Sequence, residues 1–132
     1  MFHPKITSLF ISINIYHSIC NDLYFMSYLQ TIVLISSVIY HNNLINNFRN
    51  YDICITCSII AYHLYIYLYY FLMIDLTPGM FYILGIRSYY LGVKINCNYM
   101  HGYLHIFGII GNILVNNLIK SQITNHSLPL TF

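Results

Sequence analysis

The sequence predicts an all-α integral membrane protein, a helical bundle with about five transmembrane helices. Of its 132 residues, 58% are hydrophobic and only 6% are charged, whereas a soluble domain usually carries about a quarter charged residues. Several apolar runs also approach the roughly 20 residues that a helix needs to cross the hydrocarbon core of a bilayer. The length favours one domain, which we place at residues 1–120, followed by a polar C-terminal tail at 121–132.

The first two predicted helices are Ile6–Cys20 and Leu23–His41. The first is short for a span and carries Asn14 and His17. Because no small-residue cleavage pattern of a secretory signal follows it, we expect it to remain in the mature protein. Leu23–His41 has the full length that a spanning helix needs.

The third predicted helix, Asp52–Ile74, also has full spanning length. The fourth, Gly79–Val93, is shorter and carries Arg87. Thr77 and Pro78 match an N-cap and a first helical residue, so they predict where this helix begins.

The fifth predicted helix is His101–Ile119. Three glycines lie in it: Gly102, Gly108 and Gly111. Small residues let membrane helices approach one another closely, so we expect neighbouring helices to pack against these positions.

The distribution of basic residues predicts the orientation of the bundle. Alternating crossings put the N-terminus and the connections 42–51 and 94–100 on one side. That side carries Lys5, Arg49 and Lys94, whereas the opposite side carries Lys120 and two aspartates. Basic residues favour the cytoplasmic side, so we expect a cytoplasmic N-terminus.

The four cysteines give no sign of a disulfide framework. Cys54 and Cys57 form a CxxC pair inside an apolar run, and no second pair completes a zinc finger. We expect these two residues to be buried helical thiols. The formal charge of +2 is too small to suggest nucleic-acid binding, and the chain contains no glycine-rich phosphate loop.

Ionisable residues within membrane spans mark candidate functional sites because they are costly to bury in lipid. Ser37 and His41 share a face at the end of the second helix, and His101 and His105 share a face at the start of the fifth. Asp52 opens the third helix. Alternating crossings bring all five residues to one side of the membrane. Three imidazole ligands would leave the fourth coordination position of a zinc ion open for water, as in catalytic zinc sites.

A second interpretation gives these residues structural roles only. Histidine pairs four residues apart arise by chance in a chain with seven histidines, and His101 and His105 would then lie at the membrane interface. An acid such as Asp52 is stabilised by the helix macrodipole, and the Ser37 hydroxyl can bond to its own helix. For His63 we favour a hydrogen bond to a neighbouring helix over a place in a cavity.

The motifs occur in a characteristic order. Ser36–His41 (SSVIYH) comes first, Asp52 opens the next helix, and His101–Gly108 (HGYLHIFG) follows. This set resembles the CREST superfamily of membrane hydrolases, which includes alkaline ceramidases and the progestin and adipoQ receptors. The family pattern is Ser-x3-His, an Asp early in the next helix, and His-x3-His in a later one. The chain departs from the family in having room for about five helices where the family has seven.

The resemblance implies a zinc ion, Zn²⁺, held by His41, His101 and His105. It also implies that Ser37 and Asp52 are catalytic residues that hold the attacking water, with Asp52 as general base and later acid. The implied substrate is a membrane lipid, either a sphingolipid or another acyl amide.

The expected function is therefore a zinc-dependent, membrane-embedded hydrolase of lipid amide or related acyl bonds, similar to alkaline ceramidase. The alternative is a non-catalytic multi-pass membrane protein, receptor-like or a scaffold, that retains the fold without turnover. A third interpretation, suggested by the abundance of Tyr, Ile and Asn, is a degenerate reading frame from an AT-rich genome. Self-association, which would complete the wall of a shortened lipid pocket, is compatible with the sequence. Nucleic acid is not an expected partner.

Overall fold

The computed structural model describes residues 4–42, 48–71 and 74–125. Within these ranges the chain is 88% helical and has no strand. The helices are α1 Pro4–Leu9, α2 Ile11–Cys20, α3 Tyr24–His41, α4 Arg49–Ile66, α5 Thr77–Lys94 and α6 Asn98–Thr124. A π-helical turn, Tyr67–Phe71, continues α4. Only Phe10, itself in the helical region of backbone space, separates α1 from α2, so the described chain forms five helical segments.

The predicted all-helical class is confirmed, and a helix lies at each predicted span. α3 agrees with its predicted bounds to within one residue at its start. α6 begins before His101 and runs past Lys120 into the predicted tail. The predicted N-cap of α5 is wrong, because Thr77 is already helical. Its N–H donates instead to Oδ1 of Asp75 at 2.8 Å, and hydrogen bonds from Thr77 hold the pKa of Asp75 below its ordinary value.

The same kind of turn joins α2 to α3 and α5 to α6. After α2, Asp22 adopts a left-handed backbone (φ 60°), and the Leu23 N–H donates to the Ser18 carbonyl at 2.9 Å. After α5, Asn96 has φ 51° and an equivalent bond closes the turn. This is the Schellman arrangement, and Asp and Asn are the side chains that best tolerate its left-handed position. Each turn therefore makes a tight helical hairpin.

Helix α6 is at the centre of the packing. It lies along α5 and also contacts α1 and α2, while α3 packs between α2 and α4. Little direct contact joins α4 to α5 in the described residues. The apolar core has two clusters, one around Met26, Phe71 and Val115 and one around Val33, Ile59 and Ile109.

Two glycines permit the close contact between α5 and α6. A Cβ atom on Gly92 would lie 2.6 Å from Cβ of Met100, and one on Gly111 would lie 3.1 Å from the Tyr82 ring. The prediction of close packing is therefore confirmed at Gly111. It is wrong at Gly108, where a Cβ would meet nothing within 4 Å.

Polar side chains are common in the interior of the bundle, and large apolar side chains are common on its surface. Buried polar residues are about as numerous as buried apolar ones among the described residues, and many large apolar side chains are exposed. Ile13, Tyr16 and Ile83 are each more than half exposed. Apolar residues are usually the buried ones in a folded protein, so buried polar residues and exposed apolar patches are the informative exceptions.

Two helical stretches in the described residues have the length and composition to cross a membrane. They are Asn50–Phe71 and Gly102–Thr124, each with a mean hydropathy of 1.4. The predicted span Leu23–His41 forms a helix but is not one of these two.

The four cysteines are free. Cys54 and Cys57 are helical, as predicted, but the prediction that they are buried is wrong, because both are exposed. Helix α4 turns this part of its surface away from the core.

Candidate functional site

Hydrogen bonds to a buried carboxylate join α3 to the first turn of α4. The Ser37 hydroxyl donates to Oδ1 of Asp52 at 2.9 Å. The Ser36 hydroxyl lies 2.8 Å from the same oxygen and 3.0 Å from the Val33 carbonyl, so these two acceptors compete for its one proton. Asp52 is 2% exposed. The two hydroxyls and the N-terminus of α4 offset part of the cost of burying its charge.

Two of the predicted zinc ligands lie side by side at this end of the bundle. The ring centroids of His41 and His105 are 5.9 Å apart, and the rings are nearly perpendicular, at 77°. His105 is buried, while His41 is half-buried at the end of α3, one turn beyond Ser37. The structure thus brings Ser37, Asp52, His41 and His105 to one end of the bundle.

The third predicted ligand, His101, has a side chain outside the described residues. Its backbone lies in α6, one turn before His105. Among the side chains that the structure describes, no group of three His, Cys, Asp or Glu residues is arranged to hold a metal ion.

The described histidine pair nevertheless fits two positions of a zinc site. Zn–N bonds of about 2.0–2.1 Å in a tetrahedral arrangement put the centroids of two ligating rings about 5 Å apart. The distance between the His41 and His105 centroids exceeds this by less than 1 Å. The spacing of the two rings is therefore close to that of two ligands of one metal ion.

His63 has a separate, structural environment deeper in the bundle. Its Nδ1 lies 2.9 Å from the Ile59 carbonyl, which can only accept, so Nδ1 carries the proton. Its Nε2 then accepts from the Gln30 amide at 3.2 Å. Both ring nitrogens are satisfied and His63 is 1% exposed. The predicted bond to a neighbouring helix is confirmed.

Beside this site, an apolar groove of about 340 Å³ opens between α4 and α5. Its volume lies in the range of roughly 300–1,000 Å³ typical of small-molecule pockets. One wall is a face of α4 that starts at Asp52, and the other consists of Ile86, Tyr89 and Leu104. Asp52 is the only carboxylate in this lining. The groove therefore combines one acidic end with an otherwise mostly apolar wall.

Thr56 connects the groove with a smaller internal cavity. It lines both spaces, and its buried hydroxyl has no hydrogen-bond partner among the described residues. The inner cavity, about 30 Å³, is also lined by Gln30, His105 and Asn112. It has room and polar groups enough to hold a water molecule.

Ser36 was not predicted from the sequence as a residue of this site. Ser36 shares the acceptor of Ser37, but the Ser-x3-His spacing drew attention to Ser37 alone. Thr56 lies one helical turn after Asp52, so helical spacing already places the two residues on the same face.

No family model, curated protein or solved structure matches the chain. The resemblance to the CREST superfamily therefore stays a prediction.

Proposed function

We propose that the protein is a membrane-embedded, zinc-dependent hydrolase of lipid amide or related acyl bonds. The observation that carries the proposal is the position of Asp52. This buried carboxylate accepts a hydrogen bond from Ser37 and lines the end of the apolar groove, at the same end of the bundle as two adjacent histidines. A substrate with a reactive polar linkage and a long apolar chain is complementary to such an arrangement.

The chain crosses the membrane five times in this proposal. The spans are α1 with α2, α3, α4, α5 and α6, and the N-terminus is cytoplasmic. Support comes from the exposed apolar side chains and the buried polar ones, which match a bundle whose solvent is hydrocarbon. The candidate site then lies at the cytoplasmic end of the helices.

His41, His101 and His105 would hold a zinc ion. When bound, zinc would polarise the acyl carbonyl and lower the pKa of a bound water towards about 7.

The serines and Asp52 provide the proton transfer. Ser36 and Ser37 fix the orientation of the carboxylate through Oδ1. Asp52 takes a proton from the water that attacks the acyl carbonyl and passes it to the departing amine or alcohol. The groove keeps the acyl chain in an apolar environment while its linkage stays beside Asp52.

The first test is hydrolysis of acyl amides and esters by purified protein in mixed micelles. Asp52→Asn keeps the shape of the side chain but removes the base, so we expect a loss of about 10²–10⁴-fold in activity. Asp75→Asn, which changes an exposed cap at the start of α5, is the matched control and should keep full activity. Full activity in Asp52→Asn would contradict the mechanism.

A non-catalytic role, receptor-like or as a scaffold, is the second candidate. It is favoured by the hydrogen bonds of Ser36 and Ser37 to Asp52, since these also tie α3 to α4. It predicts that Ser37, His41 and Asp52 can be replaced together without loss of biological function, provided that the helices still insert.

A further inference from the structure

The α4 wall of the groove is one continuous stripe. Its seven members recur at helical spacing, and they are Asp52, Ile53, Thr56, Cys57, Ile60, Ala61 and Leu64. From Asp52 to Leu64 the helix advances twelve residues at about 1.5 Å each, so the stripe is about 18 Å long. One leaflet contributes about half of the roughly 30 Å hydrocarbon core. The stripe is thus about as long as one acyl chain of a leaflet.

The two ends of the stripe differ in chemistry. Asp52 and Thr56 are at one end, and the Thr56 hydroxyl has no hydrogen-bond partner among the described residues. Ile60, Ala61 and Leu64 make the other end apolar. A ligand with its polar linkage at Asp52 and its alkyl chain towards Leu64 matches both ends.

A tight contact joins the π-helical turn after α4 to the start of α5, just beyond Leu64. Tyr67 is 1% exposed, and its hydroxyl donates to the Asp75 carbonyl at 3.0 Å. A Cβ atom on Gly79 would lie only 2.9 Å from the Tyr67 ring. The end of the α4 segment and the start of α5 therefore meet beyond Leu64, and we expect a bound acyl chain to end before this contact.

We infer that the groove binds a single acyl chain, with its linkage at Asp52 and its methyl end at Leu64, and that Ala61 determines the longest chain accepted. The inference rests on the proposed function for the identity of the linkage. Ala61 is exposed and its methyl group leaves space nine residues, or about 13.5 Å, from Asp52. A larger side chain there would block the deep part of the groove.

The two cysteines of α4 provide a matched pair of probes. Cys57 lines the groove, whereas Cys54 is also exposed but is not part of the lining. Full-length protein with Cys20→Ser and Cys97→Ser, and with either Cys54→Ser or Cys57→Ser, is labelled with a maleimide in micelles. The ligands are octanoyl, dodecanoyl and palmitoyl chains on a ketone that replaces the amide and so resists hydrolysis.

Occupancy of the groove should slow the labelling of Cys57 but not that of Cys54. At a ligand concentration of about 10 Kd we expect about tenfold protection of Cys57. In Ala61→Phe the palmitoyl ligand should lose this protection while the octanoyl ligand keeps it. Ser58→Phe, an exposed α4 position outside the lining, is the control and should leave the chain-length profile unchanged.

Three results would overturn the inference. They are equal protection of Cys54 and Cys57, an unchanged chain-length profile in Ala61→Phe, and protection of Cys57 that rises with protein concentration without ligand. The last result would mean that a second copy of the chain covers the groove. Selective protection of Cys57 without hydrolysis of the matching amides would support the inference and reject the hydrolase. Hydrolysis of the amides without selective protection of Cys57 would support the hydrolase and overturn the inference about the groove.

Discussion

Helix α5 meets its two neighbours in opposite ways. Towards α6 it packs so closely that Gly92 has no room for a methyl group beside Met100, and the Tyr82 hydroxyl donates to Oδ1 of Asn112 at 2.6 Å. Towards α4 it leaves a groove of about 340 Å³. The first contact stabilises the fold, and the second leaves one face of α4 available to a ligand.

The groove can remain open because α4 is held from its other side. Asp52 accepts from Ser37 on α3, and His63 accepts from Gln30 on the same helix. α4 therefore does not need α5 to keep its position. We expect substitutions on the α6 side of α5 to change stability, and substitutions in the groove to change binding.

The largest effect is expected where the tight contact is broken. Gly92→Ala forces its Cβ into Met100, and such overpacking costs typically about 1–3 kcal/mol. Gly108→Ala, where a Cβ meets nothing within 4 Å, should be neutral or stabilise by up to about 1 kcal/mol through helix propensity. Unfolding by sodium dodecyl sulfate in mixed micelles, followed by circular dichroism, measures both. Equal effects of the two variants would contradict the packing.

A smaller effect is expected where the tie that holds α4 is cut. Gln30→Leu leaves Nε2 of buried His63 without its donor, which should lower the free energy of unfolding by about 1–2 kcal/mol. The Gln30→Leu/His63→Leu double variant should lose less free energy of unfolding than the two single variants lose together, because the two residues interact. The same titration measures this coupling. Additive effects would mean that the pair does not support α4.

The smallest effect is expected at the surface pair between Asp22 and Lys120. Their 2.8 Å contact is exposed, and Lys120 holds the pKa of Asp22 below its ordinary value of 3.8. A carboxyl whose folded pKa is lowered stabilises the fold above its unfolded pKa and loses this as the pH falls through the folded value. Asp22→Asn should therefore change the stability of the fold little at neutral pH. As the pH falls below 3.8, the variant should lose less stability than the wild type does. An unchanged acid profile would show that the pair is irrelevant to folding.

The existence of the helices could be predicted from the sequence because long apolar runs have few other structures in lipid. The bounds were predicted less well, since α6 extends beyond its predicted bounds at both ends. The contact between Ser37 and Asp52, and that between His41 and His105, also agree with the alternating topology. Each pair lies at helix ends that such a topology brings to one side. The order and direction of the helices were therefore sufficient to predict that these two pairs lie close together.

The rotation of each helix about its axis was much harder to predict. Cys54 and Cys57 are exposed and Gly108 faces open space, both against prediction. These helices are apolar on most sides, so the sequence does not indicate which face packs inward. The groove was not predicted either, since it results from missing contact between α4 and α5 rather than from a motif.

The measurement that tests the central claim most directly is the zinc content of detergent-purified protein by elemental analysis. We expect about one zinc ion per chain, lost in the His101→Ala/His105→Ala double variant. His17→Gln, which changes a half-buried histidine in the last turn of α2, should retain it. Folded wild-type protein without zinc would contradict the account and leave these histidines with structural roles only.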